Sequence, residues 1–172
     1  MKILLLILVI GLICADQSPI DLSQLSGEWR TLYIASSDPV KTHGNAPFLV
    51  FKREIYFNTE NGKVVLKYYV MENGQCVPVT VTGTRIQGNV FAGAYAGANL
   101  YEPIYASETS MVTYNINLDE NNEVTKVLDF LGRGPQVNEV DFEKFKELTQ
   151  EMNIPEENIV NVINYDNCPE NL

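Results

Sequence analysis

Histidine is the side chain whose ordinary pKa suits acid–base chemistry near neutral pH, and the sequence contains one, His43. Nucleophilic hydrolysis needs such a base beside a serine, cysteine or threonine nucleophile. His43 lies in the polar segment 42–45, and neither a triad partner nor a metal ligand stands at a suitable spacing from it. We therefore expect a solvated loop histidine, no catalysis, and neither a metal nor a cofactor.

Residues 1–15 have the layout of a secretory signal peptide. Lys2 supplies a charged start, residues 3–12 are almost entirely apolar, and the small Ala15 ends the stretch. A membrane span needs roughly 20 apolar residues, which is more than this stretch offers. We expect cleavage after Ala15, secretion, and a single domain over residues 16–172; an N-terminal membrane anchor is the alternative.

Two cysteines, Cys76 and Cys168, remain after that cleavage, because Cys14 leaves with the signal peptide. An even pair of cysteines in an oxidising compartment predicts one disulfide. It would tie the C-terminal tail back to the middle of the chain. Two free thiols are the alternative.

The expected mature chain is strongly acidic. It keeps 11 of the 12 Lys and Arg residues against 22 Asp and Glu, a net charge of −11. Nucleic acids and anionic membranes bind clustered Lys and Arg, so we expect neither as a partner, and no later segment is apolar enough for membrane insertion. The charge suits a protein released into a fluid.

Short segments in which apolar and polar residues alternate dominate the chain from Trp29 to Arg133. Asn-Gly pairs at 61–62 and 73–74 separate neighbouring segments, and such a pair between apolar runs is a strong hairpin signal. Eight strands at this spacing predict a sandwich or an up-and-down barrel, and a closed barrel of this size leaves room for one small ligand. The predicted strands cover residues 28–36, 48–57, 63–71, 76–83, 90–96, 99–106, 109–118 and 124–131.

The hydrophobic period changes after the eighth strand. Apolar residues from Phe142 onward recur at spacings of three and four, which predicts an amphipathic helix over residues 140–152. Asn138 is a suitable N-cap, and Pro155 prevents the helix from continuing. A short strand over residues 159–163 completes the predicted order.

Gly27 and Trp29 on the first predicted strand, together with Arg133 after the eighth, form a pattern that resembles the lipocalin family. The resemblance implies an all-β fold, an eight-stranded antiparallel up-and-down β-barrel with one C-terminal α-helix packed on it and a short ninth strand. It also implies that Trp29 closes the narrow end of the barrel and that Arg133 packs across its ring. These three residues are expected to maintain the fold and not to bind ligand.

Within that family the chain is most similar to the odorant- and pheromone-binding type, which includes odorant-binding proteins, aphrodisin and mammalian dander allergens. Cys76 and Cys168 stand where these proteins have their disulfide. The usual Thr-Asp-Tyr element is missing, with residues 107–109 in its place, and so is the Cys-x-x-x-Cys element of many odorant-binding members. The matching stretches are residues 27–30, 108–114, 155–159 and 166–169.

The resemblance implies a secreted carrier that holds a small hydrophobic, volatile ligand, an odorant or a pheromone, inside the barrel without a cofactor. Two other functions stay open. The protein could itself be a signal recognised by a cell-surface or chemosensory receptor, or it could scavenge apolar compounds in a secreted fluid. A monomer and a homodimer are both compatible with the sequence.

Alternation along each strand, combined with the strand register of the family, assigns a set of side chains to the inner face of the barrel as candidate ligand contacts. A slip of one residue would turn a strand's members outward, and packing of the interior is the alternative role for the apolar ones. The set is Phe48, Val50, Leu66, Tyr68, Val81, Phe91, Tyr95, Tyr101, Thr113, Asn115, Val127 and Leu131.

Asn115 is the most informative polar member of that set. An amide in an apolar pocket could orient a ligand carbonyl or hydroxyl, and Tyr68, Tyr95 and Tyr101 could supply hydroxyls in the same way. An outward-facing amide, or one bridged by water, is the alternative. Gly93 lies in a strand rich in Gly and Ala, and we expect it to enlarge the cavity; a bulge or a loose segment is the alternative there.

Overall fold

A computed structural model describes residues 19–172, so the predicted signal peptide lies outside the described residues. Within that range the chain forms ten strands and one α-helix. The elements are β1 (Gly27–Glu28), β2 (Arg30–Ser36), β3 (Phe51–Asn58), β4 (Lys63–Glu72), β5 (Gln75–Gln87), β6 (Val90–Ala94), β7 (Ala98–Ala106), β8 (Ser110–Leu118), β9 (Val124–Gly132), α1 (Glu139–Glu151) and β10 (Ile159–Asn161).

The sheet closes on itself because its two ends share the first extended segment. β1 pairs with β3, β2 pairs with β9, and only Trp29 separates β1 from β2 along the chain. From β3 to β9 each strand pairs with the next one in the chain, and all pairs are antiparallel. The predicted up-and-down barrel is therefore confirmed, with β1 and β2 counted as one strand, and β10 adds the expected ninth strand beside β2.

The two Asn-Gly pairs both mark turns between strands, but they form different turns. Asn73 (φ 50°) and Gly74 (φ 78°) are both left-handed, as a two-residue type I′ hairpin between β4 and β5 requires. In the other pair only Gly62 (φ 66°) is left-handed, and the connection from β3 to β4 is a longer turn over residues 59–62.

The second predicted strand begins three residues too early. The strand starts at Phe51, and Phe48 belongs to a segment that we call the 43–50 loop. The backbone N–H of Phe48 donates to the Lys41 carbonyl at 2.9 Å and holds the loop against the preceding 3₁₀ turn. Alternation therefore continues through this loop although its backbone is not paired as a strand.

Three strand ends also differ from the prediction. β5 continues to Gln87, because its last residues pair with β6. β6 ends at Ala94, before a tight turn in which Ala96 has a φ of 50°. β10 ends at Asn161, whose side chain accepts a hydrogen bond from the Ile163 N–H at 3.1 Å and begins a 3₁₀ turn.

Helix α1 lies on the outer face of the barrel and confirms the predicted helix to within one residue at each end. The Asn138 side chain caps it by accepting a hydrogen bond from the Asp141 N–H at 3.2 Å. Phe145 and Leu148 are buried, and the Phe145 ring lies 5.5 Å from the ring of Phe130 on β9. The buried face therefore follows the predicted spacing of three and four.

The C-terminal tail is fastened to the barrel by a disulfide and by a buried arginine. Cys76 and Cys168 are joined across 92 residues, which confirms the predicted disulfide, and such a crosslink is worth about 4–5 kcal/mol in the chain-entropy model. The Arg53 guanidinium donates to both carboxylate oxygens of Asp166, at 2.7 and 2.8 Å, and Arg53 Nε donates to the Pro169 carbonyl at 2.7 Å. The tail is thus an integral part of the fold.

One end of the barrel, which we call the Trp29 end, is filled by packed side chains. Trp29 is fully buried, and its indole N–H donates to the Leu25 carbonyl at 2.7 Å. The Arg133 guanidinium carbon lies 3.8 Å from the centre of the Trp29 rings, and the two terminal guanidinium nitrogens donate to three backbone carbonyls in residues 24–28. Gly27 is required beside it, because its φ is +126° and a Cβ would lie 3.1 Å from Arg133.

Candidate ligand-binding site

A cavity lies inside the barrel, between the Trp29 end and the 43–50 loop. Its volume is about 70 Å³, measured as the space open to the centre of a water-sized sphere. One water needs roughly 10–15 Å³ on that measure, so the cavity has room for a small organic molecule. Its wall consists of Phe48, Val50, Lys52, Val64, Leu66, Tyr68, Val81, Gly83, Phe91, Gly93, Tyr95, Asn99, Tyr101, Asn115, Val127 and Asp129.

Two of the candidate ligand contacts, Thr113 and Leu131, are not in this wall, although both are buried. Leu131 packs at the Trp29 end with Met111, and Thr113 is paired with Asp129 across β8 and β9. Alternation identifies the face of a strand, but not how deep in the barrel a side chain lies. The candidates that line the cavity are Phe48, Val50, Leu66, Tyr68, Val81, Phe91, Tyr95, Tyr101, Asn115 and Val127.

Two charged residues in the cavity wall, Lys52 and Asp129, were not among the predicted ligand contacts. Lys52 Nζ forms an ion pair with Asp129 Oδ2 in the cavity wall, and the two residues are only 4% and 5% exposed. A signal was present, because each lies two residues beyond an inward-facing valine, Val50 or Val127. Because charged residues are rarely fully buried, neither residue was proposed to face the interior.

The remaining wall residues are small or polar. Gly93 lies in the wall, where we expected it to enlarge the cavity, and a Cβ there would lie 3.3 Å from the Thr82 carbonyl. Val64, Gly83 and Asn99 were not among the candidates. Val64 and Gly83 are paired across β4 and β5, so they extend the wall toward the Trp29 end.

The ion pair lies beside the ring of Tyr101, and we call Lys52, Asp129 and Tyr101 the polar cluster. Lys52 Nζ lies 5.8 Å from the centre of that ring. Burial, and then the nearby Asp129 carboxylate, raises the pKa of Tyr101, while Thr113 partly opposes the rise, so the phenol is neutral. Within residues 19–172 Asp129 Oδ1 is buried without a hydrogen-bond partner.

Aromatic rings occupy the end of the cavity next to the 43–50 loop. The Tyr95 ring lies 6.1 Å from that of Phe48 and 5.5 Å from that of Tyr68, both edge to face. The Tyr95 hydroxyl donates to the Pro47 carbonyl at 2.7 Å, so it is already engaged by the protein. Burial raises the pKa of both Tyr68 and Tyr95, and both are neutral at physiological pH.

Asn115 faces the cavity but is part of an amide network. Its Nδ2 donates to Asn99 Oδ1 at 3.0 Å, and Asn117 Nδ2 donates to the same oxygen at 3.0 Å. Asn99 Nδ2 in turn donates to the Tyr95 carbonyl at 2.8 Å. One of the two N–H groups of Asn115 is therefore engaged by Asn99 on β7, whose own amide is bonded to the β6–β7 turn.

His43 lies outside the cavity. Its ring is exposed, and Nδ1 is 2.6 Å from the Pro39 carbonyl. In the part of the chain from residue 19 onward, no group of three or more His, Cys, Asp or Glu side chains is placed to hold a metal ion. In the same part, no helix combines the length and the hydropathy that crossing a membrane requires.

A closed eight-stranded barrel with an internal cavity is the architecture of proteins that enclose one small ligand. The profile of the Lipocalin / cytosolic fatty-acid binding protein family matches residues 26–166. The chain therefore belongs to the lipocalin family, and the resemblance found in the sequence is confirmed.

Relatives and solved structures place the chain within one branch of this family. It is 34% identical to the allergen Bos d 2 of Bos taurus, with 98% of this chain and 99% of the relative covered. The structure of a dog lipocalin allergen is 37% identical with a TM-score of 0.82, over 84% of this chain and 97% of that one. A bovine odorant-binding protein solved in complex with undecanal is 33% identical with a TM-score of 0.63, over 90% of this chain and 99% of that one.

Proposed function

We propose that the protein is a secreted carrier that holds one small hydrophobic ligand, of the odorant or pheromone type, in the barrel cavity. The observation that carries this proposal is the cavity itself, which is enclosed by the strands and lined mostly by apolar side chains. Burial of apolar ligand surface contributes about 25 cal/mol per Å², set against the freedom that the ligand loses on binding. We therefore expect the cavity to select ligands mainly by their size and shape.

The relatives support this function. A bovine odorant-binding protein has been solved with undecanal, an apolar aldehyde, and its fold matches this chain over most of its length. The predicted signal peptide supports secretion, and the Cys76–Cys168 disulfide suits an oxidising compartment. We infer no catalysis, because the one histidine lies outside the cavity.

A fluorescence titration tests the proposal. Residues 16–172 are purified and titrated with N-phenyl-1-naphthylamine, and the bound probe is then competed with volatile alcohols, aldehydes and ketones. We expect saturable binding at one site and displacement at micromolar concentrations. The absence of saturable binding would contradict the carrier function.

Two substitutions on the same strand test whether the cavity is the site. Val127 is 3% exposed and lines the cavity, whereas Val124 is 48% exposed on the outside. Val127→Phe should fill the cavity and weaken binding of the probe, while Val124→Phe should leave it unchanged. Circular dichroism and urea unfolding verify that both variants fold. Equal binding by the two variants would place the ligand elsewhere.

A further inference from the structure

We propose that the polar cluster is a subsite for a neutral hydroxyl group, so that the preferred ligands are apolar alcohols or phenols. This inference rests on the proposed function, because it names the ligand class of the same cavity. Lys52 and Asp129 are the only charged residues in the cavity wall described above. Lys52 lies on β3 and Asp129 on β9, the strands that pair with β1 and β2 where the barrel closes. Any polar ligand atom in this region therefore meets a paired positive and negative charge.

The pair leaves hydrogen-bonding capacity open on both partners. A carboxylate offers about four lone-pair sites. In Asp129, one oxygen, Oδ2, accepts a hydrogen bond from Lys52. Asp129 Oδ1 is buried without a partner in residues 19–172. The Lys52 ammonium has three donors, of which Asp129 takes one. Buried groups in this condition are rare in native folds, because each loses its hydration without replacing it.

A hydroxyl group complements both charges at once. It accepts a hydrogen bond from Lys52 Nζ and donates one to the Asp129 carboxylate, whereas a carbonyl or ether oxygen can only accept from Lys52. Bonds to charged groups are the stronger class of hydrogen bond in a protein interior. At constant ligand size the alcohol is therefore expected to bind more tightly than the aldehyde or the ether.

The same charge balance disfavours ionised ligands. Lys52 and Asp129 neutralise each other inside an apolar cavity, so a carboxylate ligand would bring an uncompensated charge into it. The Tyr101 phenol is neutral and adds no compensating charge. We expect a fatty-acid anion to bind more weakly than the alcohol of the same chain length.

A matched ligand series tests the inference on the wild-type chain. Octanol, octanal, methyl heptyl ether and octanoate are used to displace N-phenyl-1-naphthylamine. Octanol should bind roughly tenfold more tightly than the ether, octanal should also bind more weakly than octanol, and octanoate should be weakest. Equal affinity for octanol and the ether would overturn the inference while the carrier function stands. Preference for octanoate would also overturn it, because the cluster would then act as an anion site. Failure of every compound to displace the probe would instead contradict the carrier function.

A double substitution assigns the preference to the cluster. Lys52→Met with Asp129→Leu removes both charges together, which avoids leaving one of them buried alone. The preference for octanol over the ether should fall to about threefold or less, because neither ligand then meets a charged partner. The matched control is Lys41→Met with Asp119→Leu, which removes an ion pair of 3.1 Å outside the cavity and should leave the ratio unchanged. An unchanged ratio in the cavity variant would overturn the inference, and if that variant does not fold, the wild-type series remains decisive.

Discussion

Two buried aspartates lie on opposite sides of the barrel wall and differ in how their carboxylates are satisfied. Outside, at the start of α1, Asp141 accepts hydrogen bonds from the hydroxyls of Tyr105 at 2.7 Å and Ser107 at 2.6 Å. Inside, the carboxylate of Asp129 contacts Lys52, and its second oxygen has no partner in residues 19–172. A buried polar group that is fully bonded is accounted for by the fold. The outer aspartate meets that condition and the inner one does not, which is why we assign the inner one to ligand recognition.

The largest effect should come from separating the inner pair. Asp129→Leu alone leaves the Lys52 ammonium buried without its counter-charge, and it should lower the free energy of unfolding by about 3–5 kcal/mol. The double variant with Lys52→Met should stay close to the wild-type value, since no lone charge remains. Urea unfolding at neutral pH measures both. An equal loss in the single and double variants would show that packing, and not charge, dominates at this site.

Removing the outer carboxylate should have a smaller effect on stability and none on binding. Asp141→Asn weakens the hydrogen bonds from Tyr105 and Ser107, and it should lower the free energy of unfolding by about 1–3 kcal/mol. Glu139→Gln, at an exposed position on the same helix turn, is the matched control and should be close to neutral. Urea unfolding and the octanol titration are run on both variants. A loss of octanol affinity in Asp141→Asn would erase the distinction between the two aspartates.

The outer aspartate should also appear in the pH dependence of stability. Burial acts to raise the pKa of Asp141, but hydrogen bonds from Ser107 and Tyr105 outweigh it, so the pKa lies below its ordinary value. The stability that comes from this lowered pKa is present above the unfolded-state pKa of about 3.9 and is lost as the pH falls through the lower folded value. Unfolding free energies measured from about pH 5 down to about pH 2 should fall less steeply in Asp141→Asn than in the wild type. Parallel curves would contradict the assignment of the bonds to Asp141.

The smallest effect is expected at Asn115, the polar residue that the sequence singled out. One of its N–H groups already holds Asn99, so Asn115→Leu should change the affinity for octanal by no more than about threefold. Competition with the fluorescent probe measures this change. A loss of more than about tenfold for octanal would make Asn115, and not the polar cluster, the main polar contact of the ligand.

The barrel was predictable because its signals are local. Alternation located the strands, Asn-Gly pairs located two turns, and Asn138 marked the start of the helix. The depth of a side chain inside the barrel is not a local property. Thr113 and Leu131 were therefore predicted as ligand contacts from their strand face, although both lie outside the cavity wall. The depth of each side chain depends on how the strands are staggered against one another, and alternation within one strand carries no information about that stagger.

Tyr101 was among the predicted ligand contacts, but Lys52 and Asp129, the charged members of the polar cluster, were not. Lys52 and Arg53 lie on opposite sides of the wall, as adjacent residues of a strand do, and the β3–β4 register shifts between Lys52 and Glu54. Lys52 enters the cavity, while Arg53 binds the tail at Asp166. A bulge of this kind inserts one residue and interrupts the period of two beyond Lys52, whereas Lys52 itself continues the alternation from Val50.

A crystal structure of residues 16–172 grown with octanol tests the central claim most directly. We predict one octanol molecule inside the barrel, with its hydroxyl oxygen within hydrogen-bond reach of Lys52 Nζ and the Asp129 carboxylate and its chain along Val127. Octanol bound only on the outer surface, at a concentration that displaces the fluorescent probe in solution, would contradict the carrier function in the cavity.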